Sequence, residues 1–213
     1  MQLYSFFNSS TSFRVRIALA LKGIRYDYHG VNIRVGEQRQ PEYVIHNPAK
    51  GVPTLVEDDG TLITQSLAIL TWLDDRHPEP RLIPQDALSK ARVLELASVI
   101  ACDMHPVNNL KVLGYLTNTL NVSNDDKTGW YKHWIKEGFD AAEALLAKHG
   151  HGVCCFGDEP TLADVCLIPQ VANAQRFGCD LSAYARINAI YEHCMTLPAF
   201  QQAAPANQPD FMQ

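Results

Sequence analysis

The spacing of apolar residues differs between the first 76 residues and the rest of the chain. In the first part, short runs that alternate between apolar and polar residues are typical of strands, whereas apolar residues at helical spacing predict helices. Asp58-Asp59-Gly60 between two apolar runs predicts a β-hairpin. The predicted elements are strands at 2–6, 25–33, 54–57 and 61–64, helices at 13–22 and 66–76, and a short helix or turn at 41–46. Their order, β-α-β-α-β-β-α, predicts a compact α/β domain.

The remainder of the chain has helical patterns only. Residues 77–88 contain three prolines, and because proline lacks a backbone donor and disfavours helix in the preceding residue, this stretch predicts a linker. Thr161 and Asp164 have the spacing of a capping box. Helices are predicted at 89–118, 129–148, 161–176 and 183–196. The predicted organisation is therefore an α/β domain at 1–78, a linker at 79–88 and an all-helical domain at 89–213.

Composition and charge exclude several classes of protein. With 213 residues, of which 46% are apolar and 19% charged, the chain can bury a sizeable core. A formal charge of −5 argues against nucleic-acid binding, since phosphate contacts require a concentrated basic surface. The chain lacks both a run of about 18 apolar residues, which would predict a membrane span, and the features of a signal peptide. We therefore expect a cytoplasmic protein that does not bind membranes.

The six cysteines all lie from residue 102 onwards. None forms a Cys-x-x-Cys pair, and no cysteines and histidines stand at zinc-ligand spacing, so no metal is expected. Several fall in apolar, helix-like stretches, which favours reduced cysteines in the core of a cytoplasmic protein. The positions are Cys102, Cys154, Cys155, Cys166, Cys179 and Cys194.

Two segments of the first domain are suited to a peptide ligand that carries a carboxylate. Val52-Pro53 lies between a loop and a strand, and a cis bond there would turn Val52 so that its N–H and C=O pair with an extended peptide. Gln65-Ser66 opens a helix, whose free N–H groups and dipole favour a carboxylate. The alternatives are a proline that merely starts an edge strand and an ordinary N-cap. Taken together, the two segments fit glutathione.

A third candidate is the run Ser9-Ser10-Thr11-Ser12 at the start of the first helix. Hydroxyl donors and a helix N-terminus stabilise a thiolate. The nucleophile would be the thiol of the ligand, because no cysteine lies nearby. The alternative is that these residues only cap the helix.

These residues also carry a family resemblance that extends over nearly the whole chain. Ser9-Ser10-Thr11-Ser12-Phe13-Arg14-Val15-Arg16-Ile17-Ala18-Leu19 resembles the zeta-class glutathione transferase signature, Ser-Ser-Cys-x-x-Arg-Val-Arg-Ile-Ala-Leu. The segments 47–55, 65–69, 157–164 and 169–177 are similar to the same family. The resemblance implies a thioredoxin-like domain followed by a helical domain, a homodimer, and glutathione as cofactor. It also implies maleylacetoacetate or maleylpyruvate isomerase activity, and we favour maleylpyruvate, a diacid formed when aromatic compounds are degraded through gentisate.

The resemblance further implies roles for individual residues. Ser9, Ser10 and Thr11 would lie beside the glutathione sulfur. The residues that would hold the cofactor are Gln38, Val52, Pro53, Gln65, Ser66, His105 and Asn109. His105 precedes Pro106, which is expected to kink its helix.

The chain departs from the family pattern at two positions, one within the signature and one just before it. Thr11 replaces the cysteine, which excludes a protein thiol there as nucleophile. Asn8 replaces an arginine, so another cation must bind the diacid, and Arg176 is the candidate because its guanidinium can grip a carboxylate with two hydrogen bonds.

Several other functions fit parts of the sequence. A maleylacetoacetate isomerase of tyrosine catabolism, a general conjugating glutathione transferase and a non-enzymatic binding module remain open. A thiol-disulfide oxidoreductase would need a cysteine near residues 9–12, and there is none.

Overall fold

The chain forms two compact units, and the computed structural model describes residues 1–212. The first unit comprises Met1–Leu82 and Met195–Gln213, and the second comprises Ile83–Cys194. The strands are β1 (Gln2–Ser5), β2 (Asp27–Gly30), β3 (Thr54–Val56) and β4 (Leu62–Thr64). The helices are α1 (Ser10–Leu21), α2 (Pro41–Val44), α3 (Ser66–Arg76), α4 (Ala87–Ser98), α5 (His105–Val107), α6 (Leu110–Asn118), α7 (Asn124–His149), α8 (Leu162–Arg176), α9 (Ala185–Cys194) and α10 (Pro198–Ala203).

The first unit is a four-stranded mixed sheet of order β2-β1-β3-β4, which confirms the predicted α/β domain. β1 pairs in parallel with β2 and antiparallel with β3, and β3 and β4 form the predicted hairpin. Leu3 and Leu55 face each other across β1 and β3, and both are fully buried. Helices α1 and α3 pack against each other and contribute Val15, Ile17, Ile69 and Leu73 to the core.

The predicted linker begins as part of the first unit. Asp74 on α3 accepts a hydrogen bond from the backbone N–H of Leu82 at 2.7 Å and forms a buried ion pair with Lys22 at 2.9 Å. Lys22 also donates to the backbone carbonyl of Pro80. Because polar groups removed from water need partners, this cluster fixes residues 80–82 against α1 and α3.

The C-terminal residues also belong to the first unit. The sequence-based division placed residues 89–213 in the helical domain, whereas Met195–Gln213 pack with the α/β unit. Helix α10 packs on α1, and Arg16 on α1 donates through Nε to the carbonyl of Ala203 at 2.9 Å. This association between distant parts of the chain has no local sequence signal.

The helices of the second unit confirm the predicted helical region, but its first helix differs from the prediction. Instead of one helix at 89–118, α4 leads into a π-helical segment, Val99–Met104, then α5, and a new helix begins after Asn109. Pro106 has no N–H to donate to the preceding turn, and the Asn109 side chain caps α6 by accepting from the N–H of Lys111. Pro106 thus lies in α5, the three-residue helix that directly follows the π-helical segment and ends at Val107.

The predicted capping box at the start of α8 is confirmed. Asp164, which is fully buried, accepts hydrogen bonds from the backbone N–H groups of Cys155 and Thr161, both at 2.8 Å, and from the Thr161 hydroxyl at 2.9 Å. One carboxylate therefore fixes the helix start and the loop that precedes it.

We expect Asp164→Ala to lower the free energy of unfolding by about 2 kcal/mol, because it leaves two buried N–H groups without partners. Chemical denaturation with circular dichroism measures this. Glu159→Ala, at an exposed position in the loop that precedes α8, serves as the control. An equal effect of both substitutions would contradict the role given to Asp164.

Helix α7 begins five residues earlier than the sequence pattern predicts, at Asn124 rather than 129. The Ser123 hydroxyl accepts from the N–H of Asp126, and Asp125 and Asp126 lie in the first turn, where carboxylates interact favourably with the helix dipole.

No helix within residues 1–212 is long and apolar enough to cross a membrane.

Candidate functional site

The predicted thiolate-binding segment lies at the N-terminus of α1. Ser9 is the N-cap residue, and its hydroxyl oxygen accepts from the N–H of Ser12 at 3.2 Å. The backbone N–H of Ser9 donates to the carbonyl of Phe6 at 3.0 Å. A helix start presents N–H groups that have no partner within the helix, together with the positive end of the dipole. The segment can therefore stabilise a negative charge near Ser9 and Ser10.

Thr11 connects this helix start to the Val52-Pro53 loop. Its hydroxyl lies 2.9 Å from the hydroxyl of Ser9 and donates to the carbonyl of Val52 at 2.9 Å. With the Thr11 proton on Val52, the Ser9 hydroxyl is the donor to Thr11. The residue that replaces the signature cysteine thus holds Val52 in place.

The Val52-Pro53 peptide bond is cis, as the hypothesis of an outward-facing Val52 requires. The neighbouring carbonyl of Gly51 accepts from the Tyr43 hydroxyl at 2.5 Å and from the Asn47 side chain at 2.8 Å. Both side chains also contact the hydroxyl of Thr54 at the start of β3. Buried side chains thus determine the position of this loop.

Gln65 and Ser66 begin α3, as predicted, but with different roles from an ordinary cap. Gln65 is the N-cap residue, yet its side chain makes no capping hydrogen bond, and its φ of 69° lies in the left-handed region. A residue without glycine's freedom is strained there, and such strain is common at ligand sites. The Ser66 hydroxyl accepts a long hydrogen bond, 3.4 Å, from Arg14, so its own proton points elsewhere.

Two buried arginines support this part of the first unit, and the sequence reasoning assigned neither a role. Arg14 and Arg16 are each 1% exposed and lie on α1. Arg14 places a cation beneath Ser66, where it favours binding of an anionic carboxylate. The signal was present in the sequence as two arginines within an apolar helix, since charged residues are rarely buried there without a specific purpose.

Gln38 presents a buried acceptor. Its side chain is largely buried, and its Nε2 donates to the carbonyl of Ile33 at 3.4 Å. Its Oε1 has no hydrogen-bond partner within residues 1–212. Because a buried oxygen without a partner is costly, this atom is suited to accept from an N–H of a bound peptide.

The other predicted site residues lie in the helical unit. Asn109 Nδ2 and His105 Nε2 are 3.4 Å apart at the junction of α5 and α6. Arg176 ends α8, donates to the Asn173 side chain at 2.5 Å and packs over the Phe177 ring at 4.8 Å. Phe177 in turn stacks on Tyr131 with a centroid distance of 4.0 Å. Arg176 is exposed, and its guanidinium contacts both Asn173 and Phe177.

Burial and the nearby Arg176 act in opposite directions on Tyr131, and burial dominates, so the pKa of this phenol lies well above its usual value. Tyr131 Oη has no hydrogen-bond partner in the described part of the chain. The sequence reasoning missed Tyr131, which has no motif of its own.

The cysteines agree in part with the expectation of core residues. All six are free, and Cys154, Cys155, Cys166 and Cys194 are buried, but Cys102 is exposed and Cys179 is partly exposed. Ligand atoms of Cys154, Asp164 and Cys194 lie within 4.8 Å of one another. Since Oδ2 of Asp164 already serves the capping box and Oδ1 accepts from the N–H of Cys155, we interpret this cluster as part of the helical core.

Comparison with known proteins gives a consistent result. Residues 8–76 match the family model of the glutathione S-transferase N-terminal domain. The chain is 46% identical to a probable maleylacetoacetate isomerase of Vibrio cholerae, over 98% of this chain and 97% of that protein. It is 44% identical to a maleylpyruvate isomerase described as a zeta-class bacterial glutathione transferase, whose holo structure superposes with a TM-score of 0.96 over 100% of both chains.

A third relative bears on the ligand. The maleylacetoacetate isomerase of Anaeromyxobacter dehalogenans, solved with glutathione bound in its active site, is 41% identical, with a TM-score of 0.90 over 99% of this chain and 97% of that one. The fold, the N-terminal helix start and these whole-length similarities together place the chain in the zeta class of glutathione transferases, the family that includes the maleylpyruvate and maleylacetoacetate isomerases.

Proposed function

We propose that this protein is a glutathione-dependent cis-trans isomerase that converts maleylpyruvate to fumarylpyruvate in aromatic degradation. The observation that carries the proposal is the arrangement of the α1 N-terminus, the cis Val52-Pro53 loop and the start of α3 in one unit. Relatives that align over the full length are maleylpyruvate and maleylacetoacetate isomerases. We further propose a homodimeric, cytoplasmic enzyme.

The residues of the first unit fit glutathione. Val52 would pair with the peptide backbone, Gln38 Oε1 would accept an N–H, and the start of α3 with Ser66 would bind the γ-glutamyl carboxylate above Arg14. Ser9 and Ser10 would surround the sulfur at the start of α1. Glutathione held there would supply a thiolate for reversible addition to the conjugated double bond; the resulting single bond can rotate, and loss of the same thiolate would re-form the double bond as trans.

The protein contributes charge and positioning to this chemistry. The α1 N-terminus and the serine hydroxyls lower the pKa of a thiol bound there, since both favour the anion. A thiolate is a stronger acceptor than a neutral hydroxyl, so it draws the Ser9 proton away from Thr11. Arg176 binds a substrate carboxylate with its guanidinium, which Asn173 and Phe177 orient.

A direct assay tests the function. Purified protein is incubated with maleylpyruvate, with and without glutathione, and the trans product is followed by absorbance. Maleylacetoacetate and a chloroaromatic electrophile are assayed in parallel. The proposal requires glutathione-dependent conversion with the highest kcat/KM for maleylpyruvate; faster turnover of maleylacetoacetate would reassign the substrate, and conjugation alone would indicate a general transferase.

Thr11 has a positioning role in this proposal. We expect Thr11→Val to raise the KM for glutathione by about fivefold with little change in kcat. The substitution removes the hydrogen bond to the Val52 carbonyl but leaves the serine hydroxyls and the helix start around the sulfur unchanged. Thr11→Ser keeps the hydroxyl and serves as the control. A normal KM in Thr11→Val would exclude this role.

A further inference from the structure

The turn that precedes the thiolate site is held from two directions. This entry turn, residues 6–9, connects β1 to α1 and ends at the N-cap Ser9. From inside the unit, the buried Arg16 donates to the carbonyl of Phe6 at 3.2 Å and to that of Phe7 at 2.9 Å. The Phe6 carbonyl also accepts from the N–H of Ser9, so Arg16 holds the carbonyls of the turn that places Ser9.

The backbone N–H of Phe7, in the same turn, is bound by Asp210 of the C-terminal tail. Asp210 accepts from the N–H of Phe7 at 3.1 Å through Oδ2 and from the Tyr28 hydroxyl at 2.5 Å through Oδ1. One carboxylate therefore joins the entry turn to strand β2. Burial and the bond to Asp210 raise the pKa of Tyr28 well above its usual value, so this phenol stays protonated and remains a donor at neutral pH.

The tail is itself fixed as it approaches the turn. Gln208 donates through Nε2 to the carbonyls of Gln202 and Ala204, each at 2.9 Å, and its own carbonyl accepts from the N–H of Phe211. The Phe211 ring meets the Phe7 ring edge-on at 5.4 Å. Asp210 thus lies between two residues that are anchored, one by hydrogen bonds and the other by an aromatic contact.

The fit around Asp210 is tight. A β-carbon added at Gly30 would lie 3.2 Å from the β-carbon of Asp210, closer than most such contacts in proteins. A side chain at position 30 would therefore require Asp210 to move by a few tenths of an ångström from its observed position beside β2. Gly30 on β2 and Asp210 on the tail therefore both contribute to this close contact.

We propose that Asp210 is a positioning residue for the thiolate site: by binding the Phe7 N–H it fixes the entry turn, and through it the Ser9 hydroxyl and the first N–H groups of α1. This inference rests on the proposed function. Asp210 acts through the turn, and a small displacement of donors aimed at a reacting charge weakens their effect strongly. The C-terminal tail is thus part of the catalytic scaffold.

The experiment compares Asp210→Ala, Asp210→Asn and Tyr28→Phe with Asp75→Ala, an exposed carboxylate on α3 that serves as the control. For each full-length variant, the ultraviolet absorbance of the thiolate against pH gives the pKa of the bound glutathione thiol. Steady-state kinetics give kcat and the KM for glutathione, and thermal unfolding gives the midpoint.

We expect Asp210→Ala to raise the pKa of the bound thiol by roughly 0.5–1 and to lower kcat by about tenfold, with a smaller change in the KM for glutathione. Asp210→Asn retains an acceptor for the Phe7 N–H and recovers most of kcat. Tyr28→Phe leaves that bond in place and has a smaller effect than Asp210→Ala. Asp75→Ala behaves as the wild type.

Two outcomes would overturn the inference. One is an Asp210→Ala variant with a lowered thermal midpoint but wild-type thiol pKa and kcat, which would make the contact purely stabilising. The other is an effect of Tyr28→Phe as large as that of Asp210→Ala, which would assign the role to the phenol. A wild-type protein that neither binds glutathione nor isomerises the diacid would instead refute the proposed function.

Discussion

Replacing Ser9 by alanine is expected to reduce kcat for the isomerisation by about a hundredfold to a thousandfold, with the fold intact. Ser9 is the N-cap of α1, and its hydroxyl accepts from Ser12 and lies 2.9 Å from the hydroxyl of Thr11. In the proposed site, the Ser9 hydroxyl would donate a hydrogen bond to the thiolate at the helix start. Removing one preorganised donor to a developing or resident anion has effects of this size.

The loss of the cap must be separated from the loss of the hydroxyl. Ser9→Thr keeps both and should retain most activity, whereas Ser9→Asn keeps the cap but has no hydroxyl and should be as inactive as Ser9→Ala. Kinetics are measured together with the thermal midpoint and the pKa of the bound thiol. Full activity in Ser9→Asn would show that capping alone explains the importance of Ser9.

The second large effect is expected at Arg176. We expect Arg176→Ala to reduce kcat/KM for maleylpyruvate by about a hundredfold to a thousandfold, while the KM for glutathione stays within about twofold. Asn8 stands where the family usually has an arginine just before the signature, so in the proposed function Arg176 would supply the charge that binds the diacid. Its guanidinium is oriented by Asn173 and stacked on Phe177.

Variants with graded changes test this role of Arg176. Arg176→Lys keeps the charge but loses the bidentate hydrogen bonding, so its kcat/KM for maleylpyruvate should lie between those of the wild type and Arg176→Ala. Arg186→Ala, at an exposed position at the start of α9 in the same unit, should leave the kinetics unchanged. Wild-type kinetics in Arg176→Ala would require another cation for the substrate.

Several elements of both units were predictable because their signals are local. Alternation of apolar residues marked β1, Asp58-Asp59-Gly60 marked the hairpin, and Thr161 with Asp164 marked the start of α8. Each signal involves residues within a few positions of one another, where backbone geometry and side-chain capping act directly. The strand β2 is shorter than predicted, at 27–30, because element ends depend on pairing with a neighbour.

The candidate site was predictable only in part. The sequence identified Ser9, Val52 and Ser66, since helix starts and X-Pro bonds are visible in it. It did not show that the Thr11 hydroxyl binds the Val52 carbonyl, a contact between residues 41 positions apart. It also did not show that Gln38 would present a buried oxygen without a partner in the described residues.

The order of elements, the division into α/β and helical parts, and the family signature could be predicted from the sequence, because they depend on local periodicity and on motifs along the chain. The burial of Arg14 and Arg16, the break in the first long helix near Asn109, and the packing of residues 195–212 with the first unit became visible only in the folded chain. Burying a charge or docking a tail is favourable only when distant partners satisfy its polar groups. Those partners come together only in the folded chain.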